Sequence, residues 1–532
     1  MTDPRTMRAP SHASVGALSF FATVRRRARL ACLIVSFGLA AACAPEPEGA
    51  ALPSQQAGAP SATAKPRPEV VVLVSIDTLR ADHLGVYGYE RFTSPQLDAL
   101  AAEGAVFEDA SAPAPWTLPS HASMLTGLYP ARHGVVSMAT ELPENLPTLA
   151  AALSRAGFTT AAVVNNTWLS RDTYGLTRDF EYYQLVDTPD DHREPNRWVT
   201  DTALQWLEEF KGERLFLFVH YFDVHADYAS LPAYESLFVS PYDGPFTGDA
   251  WQLQIANFED DYIAFCSREF DPEKCRFGGP DGPRPVNENT VRQVPNDQDL
   301  KHLEELYDAG IRQLDSEMGR LFAALNEEAY RERALLIITS DHGEEFGDHG
   351  RVDHFLTQYQ EVLRVPLIMR GPTIAPGQRI NTPVSLVDLV PTVLSMTAQP
   401  PLQNSDGLDL TLLFEGEGDR DFLERTQYGE AGGGITYETI VAPGIFPIYS
   451  SARRGPFKLV HEAKTNHAAL YNLDSDPTEQ RDLSAEHPEI AAQLGQALME
   501  RNNRARPTEH QGKPVELSTD DLERLRALGY VP

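Results

Sequence analysis

The sequence predicts an α/β fold, in which a large, mostly parallel sheet is flanked by helices and followed by a small C-terminal α+β subdomain. Continuous apolar, β-branched runs are typical of strands buried on both faces of a parallel sheet, and two of them read EVVVLVSID (69–77) and RALLIITSD (333–341). Helical patterns alternate with such runs. From about Asp421 the sequence changes to Gly-rich turns and short strands. A chain of 532 residues can form a large core and a second, smaller domain.

The elements of the large domain follow one another in βα order. After the first strand, helices are predicted at SPQLDALAAEG (94–104) and LPTLAAALSRAG (146–157), and further buried strands at FTTAAVV (158–164) and RLFLFVHYFDVH (214–225). In such sheets, ligands gather at the carboxyl ends of the strands. The acidic and imidazole residues predicted at those ends are Asp77, Asp223, His225, Asp341 and His342.

The predicted domain organisation has four parts. They are a lipoprotein-type signal peptide (1–43), a Pro/Ala-rich tether (44–68), a large domain with a polar insertion at about 249–300 (69–420), and the C-terminal subdomain (421–532). Within the subdomain, strands are predicted at FKLVHEA (457–463) and AALYNLD (468–474), and a helix at 487–501.

The N-terminal segment indicates export. The basic stretch RRRAR (25–29) precedes an apolar run, LACLIVSFGLAAAC (30–43), that is too short to span a bilayer comfortably and ends in small residues. Its LAAAC ending resembles a bacterial lipobox, which predicts Cys43 as a lipidated N-terminus that anchors the protein to a membrane. The alternative is a plain signal peptide and a soluble product. We therefore expect a periplasmic or outer-membrane lipoprotein of a bacterium.

Two further cysteines, Cys266 and Cys275, lie close together in the polar insertion. Because export implies an oxidising compartment, a local disulfide is the favoured interpretation, and two free thiols are the alternative.

Composition limits the possible partners. The formal net charge of −31 makes nucleic acid an unexpected partner, since nucleic-acid binding depends on a basic surface. An anionic substrate would need a local positive centre, such as a metal ion or a histidine cluster.

The residues at the strand ends can supply that centre. Asp77, Asp341 and His342 are oxygen and imidazole donors that together could hold a divalent cation. Thr117 begins a helical stretch with Pro119 in its first turn, so it is either an N-cap or part of an anion site at the helix N-terminus. A helix dipole contributes about 0.3–2 kcal/mol, whereas a metal can lower the pKa of bound water from about 15.7 to about 7. Thr117 as a nucleophile therefore requires the cation.

The motifs that carry this chemistry resemble those of a known family. They are VVLVSIDTLRADHLGVYGY (71–89), TLPSHASMLTGLYPARHGV (117–135), FLFVHYFDVHADY (216–228), YDAGIRQLDSEMGRL (307–321), IITSDHGEEFGDHG (337–350), LRVPLIMRGP (363–372) and LYNLDSDPTEQRDL (470–483). Together they are similar to bacterial sulfatase-like hydrolases of the alkaline phosphatase superfamily, over about residues 70–530. The resemblance implies an alkaline phosphatase/sulfatase-like catalytic domain at 69–420 and a metal-dependent hydrolase of sulfate or phosphate esters.

The resemblance also assigns positions. Asp77, Asp341 and His342 match metal ligands, and Thr117, itself expected to bind the metal, matches the nucleophile that sulfatases convert from Cys or Ser to formylglycine. His121 stands where sulfatases have an Arg. In the same way, Thr78 replaces a common second metal-binding Asp and His342 replaces an Asn, while His225 matches a substrate-binding His and His354 lies near the position of a Lys.

These departures from the sulfatase pattern favour esters of phosphorus over sulfate esters as substrates. Without Cys or Ser at 117 and Arg at 121, formylglycine is not expected. A Thr nucleophile with an Asp–His pair resembles the phosphodiesterase and phosphoethanolamine-transferase branches, which form a phospho-threonine intermediate. We therefore expect phosphate diesters, phosphate monoesters or phosphonates to be favoured, with one or two divalent ions of Zn, Mn or Ca.

Several polar residues remain open to two interpretations. His121 shares a helix face with Thr117 and could act on substrate or as an acid or base, or be a surface residue. His225 and His354 could contact the ester or hold a second metal, and Asn165 could contact substrate. Supporting roles in the loop or fold are expected for Asp348, His349, Asp353, Arg80, Asp82 and His83.

Two other functions stay open. The first is a phosphoryl-group transferase, although those relatives usually carry several transmembrane helices. The second is a non-catalytic pseudo-sulfatase that binds anionic glycans, against which the intact set of metal ligands counts.

Overall fold

The computed structural model describes residues 66–137, 140–170, 173–186, 195–257, 276–277, 284–285, 290, 292–431 and 449–504. The predictions for the signal peptide with Cys43, for most of the tether, and for the Cys266–Cys275 pair lie outside these residues. The domain boundaries predicted near 68 and 421 stay predictions.

The strands, numbered in chain order, are β1 (Val70–Ile76), β2 (Ala105–Ser111), β3 (Thr159–Val164), β4 (Tyr182–Leu185), β5 (Leu215–Tyr221), β6 (Arg276–Phe277), β7 (Arg284–Pro285), β8 (Ala334–Ser340), β9 (Glu345–Phe346), β10 (Val352–Asp353), β11 (Arg364–Arg370), β12 (Gln378–Ile380), β13 (Val384–Ser385), β14 (Gln427–Ala431), β15 (Tyr449–Arg454), β16 (Phe457–Glu462) and β17 (His467–Asn472). The central sheet has the order β12-β2-β11-β8-β1-β5-β3-β4, and β13 also pairs with β2. Only β11 runs against its neighbours in this sheet of described strands. The predicted mostly parallel sheet is thus confirmed.

The α-helices are α1 (Pro95–Ala101), α2 (Thr117–Thr126), α3 (Pro130–His133), α4 (Leu149–Arg155), α5 (Pro195–Glu209), α6 (Pro232–Phe238), α7 (Ala250–Asn257), α8 (Asp297–Leu325), α9 (Glu328–Arg331), α10 (Gln360–Leu363), α11 (Leu389–Met396), α12 (Thr411–Phe414), α13 (Asp419–Glu424) and α14 (Pro488–Arg504). Among the described residues, none of these helices is long and apolar enough to cross a membrane.

Burial on both faces explains why β1 is apolar apart from Ser75. All seven of its residues are buried. Val71 and Leu73 pack into the core on the face that holds α2, whereas Val70 and Val72 pack into the core on the face that holds α8. Because side chains alternate along a strand, a strand covered on both faces loses the polar half of the usual alternation.

The C-terminal part forms a separate antiparallel sheet, in the order β14-β15-β16-β17. Leu459 of β16 and Leu470 of β17 pack in one apolar cluster with Leu494 and Leu498 of α14. The predicted α+β subdomain is confirmed, and its predicted strands and helix match β16, β17 and α14 closely.

Asp388 is a buried ion-pair residue beside α11. Its carboxylate accepts two hydrogen bonds of 2.6 Å from Arg425 and one of 2.8 Å from each of the backbone amides of Ser385 and Leu408. We expect Asp388→Ala to lower the free energy of unfolding by about 3–5 kcal/mol, because the Arg425 guanidinium would be left buried without its anion. Urea denaturation measures this loss.

The control is Arg420→Ala, which removes an exposed pair between Arg420 and Glu424. Exposed pairs of this kind contribute at most about 1 kcal/mol. Equal losses in the two variants would contradict the importance of the buried pair.

Candidate active site

The central strands bring three predicted ligands to one edge of the sheet. β1 is directly followed by Asp77, and β8 is directly followed by Asp341 and His342. The two strands pair in parallel with Ile76 opposite Ser340, so their carboxyl ends meet. Each of the three side chains has no exposed surface.

Thr117 joins this group from the first residue of α2. Its Oγ1 lies 3.4 and 3.5 Å from the two Asp77 oxygens and 3.5 Å from His342 Nε2. His342 Nε2 lies 3.5 Å from Asp77 Oδ1 and 3.4 Å from Asp341 Oδ2. The structure therefore brings together all four residues predicted to bind metal, with their donor atoms around a common point.

Hydrogen bonds orient these donors. His342 Nδ1 donates to Gly343 O over 2.9 Å, which leaves the Nε2 lone pair free for a cation. Asp341 Oδ1 accepts from the backbone amides of Thr78 and His342 at 3.4 and 3.0 Å. Asp341 Oδ2 has no hydrogen-bond partner in the described part of the chain, although it is buried. An orphaned carboxylate oxygen beside an imidazole lone pair fits a bound cation.

The electrostatics of the group also fit a cation. Burial, and then the neighbouring carboxylate of Asp77, raise the pKa of Asp341 well above its ordinary value. Burial, and then His354, hold the pKa of His342 well below its ordinary value, so its imidazole is neutral, as a ligand must be. Two carboxylates and one imidazole with Thr117 suit Zn²⁺ or Mn²⁺ better than a soft metal.

His121 lies one turn after Thr117 in α2, next to the candidate metal ligands. Its ring is fully buried, with Nδ1 2.9 Å from Thr117 O and Nε2 2.9 Å from Ser75 Oγ. Burial, and then the neighbouring His220, lower its pKa to about 3. Burial contradicts the alternative of a surface residue, and the neutral ring holds the first turn of α2 against β1. The acid–base or substrate-binding role of His121 stays a prediction. Helical periodicity placed His121 on the same face as Thr117, and its Nδ1 lies 3.4 Å from Asp341 Oδ2.

His225 and His354 lie next to the candidate ligand His342. Their ring centroids are 4.9 Å apart, and the His354 ring is 4.5 Å from that of His342. His354 Nδ1 is 3.0 Å from both Glu344 Oε1 and Asp353 Oδ1. Glu344, Asp353 and His354 form a second buried group of possible metal ligands, so the predicted alternatives of ester contact and second metal both remain compatible with this placement.

The asparagine that contacts the candidate ligands is Asn166, which donates from Nδ2 to Asp77 Oδ2 over 2.8 Å. The substrate contact expected of its neighbour Asn165 stays a prediction. Asn166 is buried and also caps a short 3₁₀ turn, Thr167–Leu169, by accepting from Trp168 N. Asn165 is only partly buried. The predicted end of β3 indicated an amide here, but only the turn geometry decides which of two adjacent asparagines points inward.

Several residues expected to support the loop or fold do make such contacts. Arg80 donates to Asp82, to Asp348 and to Glu344 O. His83 pairs with Asp308 at 2.8 Å.

His349, expected to support the loop, follows β8, and Asp223, predicted only to lie at the end of a strand, follows β5. His349 lies 2.6 Å from Glu361 Oε1. Asp223 accepts from Asn196 over 2.6 Å, and burial raises its pKa to about 7.

Sequence reasoning missed His220, the sixth residue of β5. It is fully buried, and its Nε2 lies 3.5 Å from Asp77 Oδ2. The residue is a polar exception within an apolar strand, and that exception was the available signal.

Comparison with known proteins gives two family matches. The Sulfatase family model matches residues 69–399, and the model described as N-sulphoglucosamine sulphohydrolase, C-terminal, matches residues 347–504. A curated relative from Escherichia coli K12, described as the uncharacterized sulfatase YidJ, is 27% identical over 348 residues, which cover 61% of this chain and 67% of that one.

Solved structures share the fold. One, determined in complex with its substrate D-glucosamine-2-N,6-O-disulfate, has a TM-score of 0.65 at 20% identity, covering 84% of this chain and all of that one. Another, the phosphonate monoester hydrolase of Agrobacterium radiobacter, has a TM-score of 0.62 at 21% identity, covering 83% and 96% of the two chains. At these identities the likeness establishes the architecture.

Proposed function

Because this chain belongs to the sulfatase family, and is thus an ester hydrolase of the alkaline phosphatase superfamily, we propose that it cleaves phosphate diesters, phosphate monoesters or phosphonate esters in preference to sulfate esters. Thr117 is the proposed nucleophile. The observation that carries the proposal is the position of Thr117 Oγ1, 3.4–3.5 Å from Asp77 and His342 and at the start of α2. A sulfatase of the formylglycine type needs Cys or Ser at this position, and Thr has no route to that aldehyde.

Asp77, Thr117, Asp341 and His342 would hold a divalent cation, which supplies Lewis-acid stabilisation of negative charge and lowers the pKa of a hydroxyl. In the proposed reaction Thr117 Oγ1 attacks phosphorus, the ester P–O bond breaks, and the hydroxyl proton ends on the departing alkoxide, which leaves as the alcohol. Water then hydrolyses the phospho-threonine, which releases the phosphate or phosphonate product and restores the Thr117 hydroxyl. The N-terminal amides of α2 favour the anion in the same place. We propose that His354 donates from Nε2, which has no hydrogen-bond partner among the described residues, to an ester oxygen, or that it holds a second ion with Glu344 and Asp353. His225, whose ring lies 4.9 Å from that of His354, would contact the same ester or ion.

The proposal is tested with matched nitrophenyl substrates. Wild-type protein is assayed on a sulfate, a phosphate monoester, a phosphate diester and a phosphonate ester, each with Zn²⁺, Mn²⁺ or Ca²⁺. We expect the highest kcat/KM for a phosphorus ester. A sulfate ester turned over faster than all the phosphorus esters would overturn the proposal.

We also propose that the protein is exported and anchored through Cys43. We expect Cys43→Ser to convert a membrane-associated protein into a soluble or unprocessed one, because the thiol that accepts the lipid is lost. Detergent phase partitioning of cell extracts measures the change.

The control for that experiment is Cys32→Ser, which alters a cysteine inside the same apolar run. It should leave fractionation as in wild type. Unchanged fractionation of Cys43→Ser would refute the anchor.

A further inference from the structure

His220 is a buried histidine that the proposed chemistry does not use. It lies in β5 opposite Ser75 of β1. Ser75 is two residues before Asp77 in the chain. Its side chain has no exposed surface. Among the described residues, neither of its ring nitrogens has a hydrogen-bond partner. A buried imidazole always carries at least one N–H, so the absence of a partner calls for a physical reason.

The group that His220 faces is Asp77. Nε2 lies 3.5 Å from Asp77 Oδ2, slightly beyond the usual hydrogen-bond length. On its other side, the ring stands edge-on to His121, with the centroids 5.1 Å apart. Both nitrogens of His121 are already engaged, by Thr117 O and Ser75 Oγ. The Asp77 carboxylate is therefore the acceptor available to the Nε2–H.

The two oxygens of Asp77 are used differently. Thr117 Oγ1 lies at 3.4 and 3.5 Å from Oδ1 and Oδ2, but His342 Nε2 faces Oδ1, at 3.5 Å. Oδ2 accepts from Asn166 Nδ2 at 2.8 Å and faces His220 Nε2. A carboxylate held through one oxygen by two N–H groups has a fixed rotation, and its other oxygen then has a fixed direction.

We propose that His220 is a positioning residue: its Nε2–H, together with Asn166, fixes Asp77 so that Oδ1 points toward the cation and Thr117. This inference rests on the proposed metal-assisted function. His220 touches neither the substrate nor the reacting oxygen, so its effect is expected first in metal binding and only through it in turnover.

The test is calorimetric titration of metal-free full chain with Mn²⁺. His220→Leu keeps an apolar group of similar size but removes the N–H, and we expect it to weaken Mn²⁺ binding about 10- to 100-fold. His220→Gln places an amide nitrogen near the position of Nε2 and should bind Mn²⁺ within about threefold of wild type. If His220→Leu does not fold, His220→Asn replaces it, because its amide corresponds to Nδ1 and is too short to reach Asp77.

A matched control separates positioning from simple loss of a core histidine. His133 is equally buried, and it contacts Ser123 Oγ and the Val135 amide, at 3.0 and 3.1 Å. His133→Gln should lower thermal stability and leave Mn²⁺ affinity unchanged.

Wild-type Mn²⁺ affinity in His220→Leu, or in His220→Asn where that variant replaces it, would overturn the inference. A decrease in Mn²⁺ affinity in His220→Gln as large as that in His220→Leu or His220→Asn would overturn it too. Asp341→Asn distinguishes this failure from that of the proposed function. If Asp341→Asn abolishes Mn²⁺ binding while His220→Leu does not change it, only the role of His220 is wrong. If Asp341→Asn also binds like wild type, the metal site itself is wrong.

Discussion

Thr117→Ala should lower turnover of the best phosphorus ester by at least about 10³-fold, because it removes the oxygen proposed to form the bond to phosphorus. KM should change far less, since the ester oxygens still meet the α2 N-terminus and the histidines. Thr117→Ser should keep appreciable activity, because it retains the hydroxyl and loses only a methyl group. Steady-state kinetics on one nitrophenyl substrate with all three proteins measures the difference.

Mass analysis gives an independent result from the same proteins. Under rapid quench, the wild-type peptide that contains Thr117 should carry the mass of one phosphoryl group, and the Thr117→Ala peptide should not. The resting enzyme should show an unmodified Thr117. Full activity of Thr117→Ala, or turnover of wild type with no phosphoryl group on this peptide, would refute the nucleophile.

The central sheet and the meeting of the candidate metal ligands at its edge could be predicted because both follow from the same property of the sequence. A strand covered on both faces is mostly apolar and, in β1 and β8, carries no charged residue, so the first charged residue marks its end. Asp77 and Asp341 are such residues, and parallel pairing of their strands brings them together without further information. Thr117 was predictable because Pro119 and the residues after it indicate where a helix begins.

The residues around these ligands could not be derived in this way. Their roles depend on rotations of side chains and on turns of one or two residues. Asn165 and Asn166 are adjacent at the end of β3, and the short turn selects Asn166. His121 and Thr117 share a helix face in the sequence, yet the His121 ring turns toward Ser75 and the core. The proximity of His220 to Asp77 follows only from the pairing of β1 with β5 in the sheet, which the sequence pattern does not indicate.

Asp341→Asn should abolish activity and remove the stabilisation that a divalent ion gives to the fold. An ion at 100 times its dissociation constant raises the free energy of unfolding by about 2.7 kcal/mol. We expect this gain in wild type with Mn²⁺ and none in Asp341→Asn, measured by urea denaturation with and without the metal. A metal-dependent gain in Asp341→Asn equal to that of wild type would refute the site.

The same variant should be at least as stable as wild type when both are metal-free. Burial, and then Asp77, raise the pKa of Asp341 in the folded protein, so ionised Asp341 destabilises the metal-free fold. The favourable contribution of a group with a raised pKa is present at low pH and is lost as pH rises through the folded-state value. The free energy of unfolding of metal-free wild type should therefore fall, relative to that of Asp341→Asn, as pH rises above the ordinary range of a carboxyl group. The asparagine does not ionise, and its side-chain oxygen still accepts from the Thr78 and His342 amides. Denaturation midpoints of the two metal-free proteins across pH measure this difference, and a metal-free Asp341→Asn that is less stable at every pH would show that the carboxylate serves the fold and not the cation.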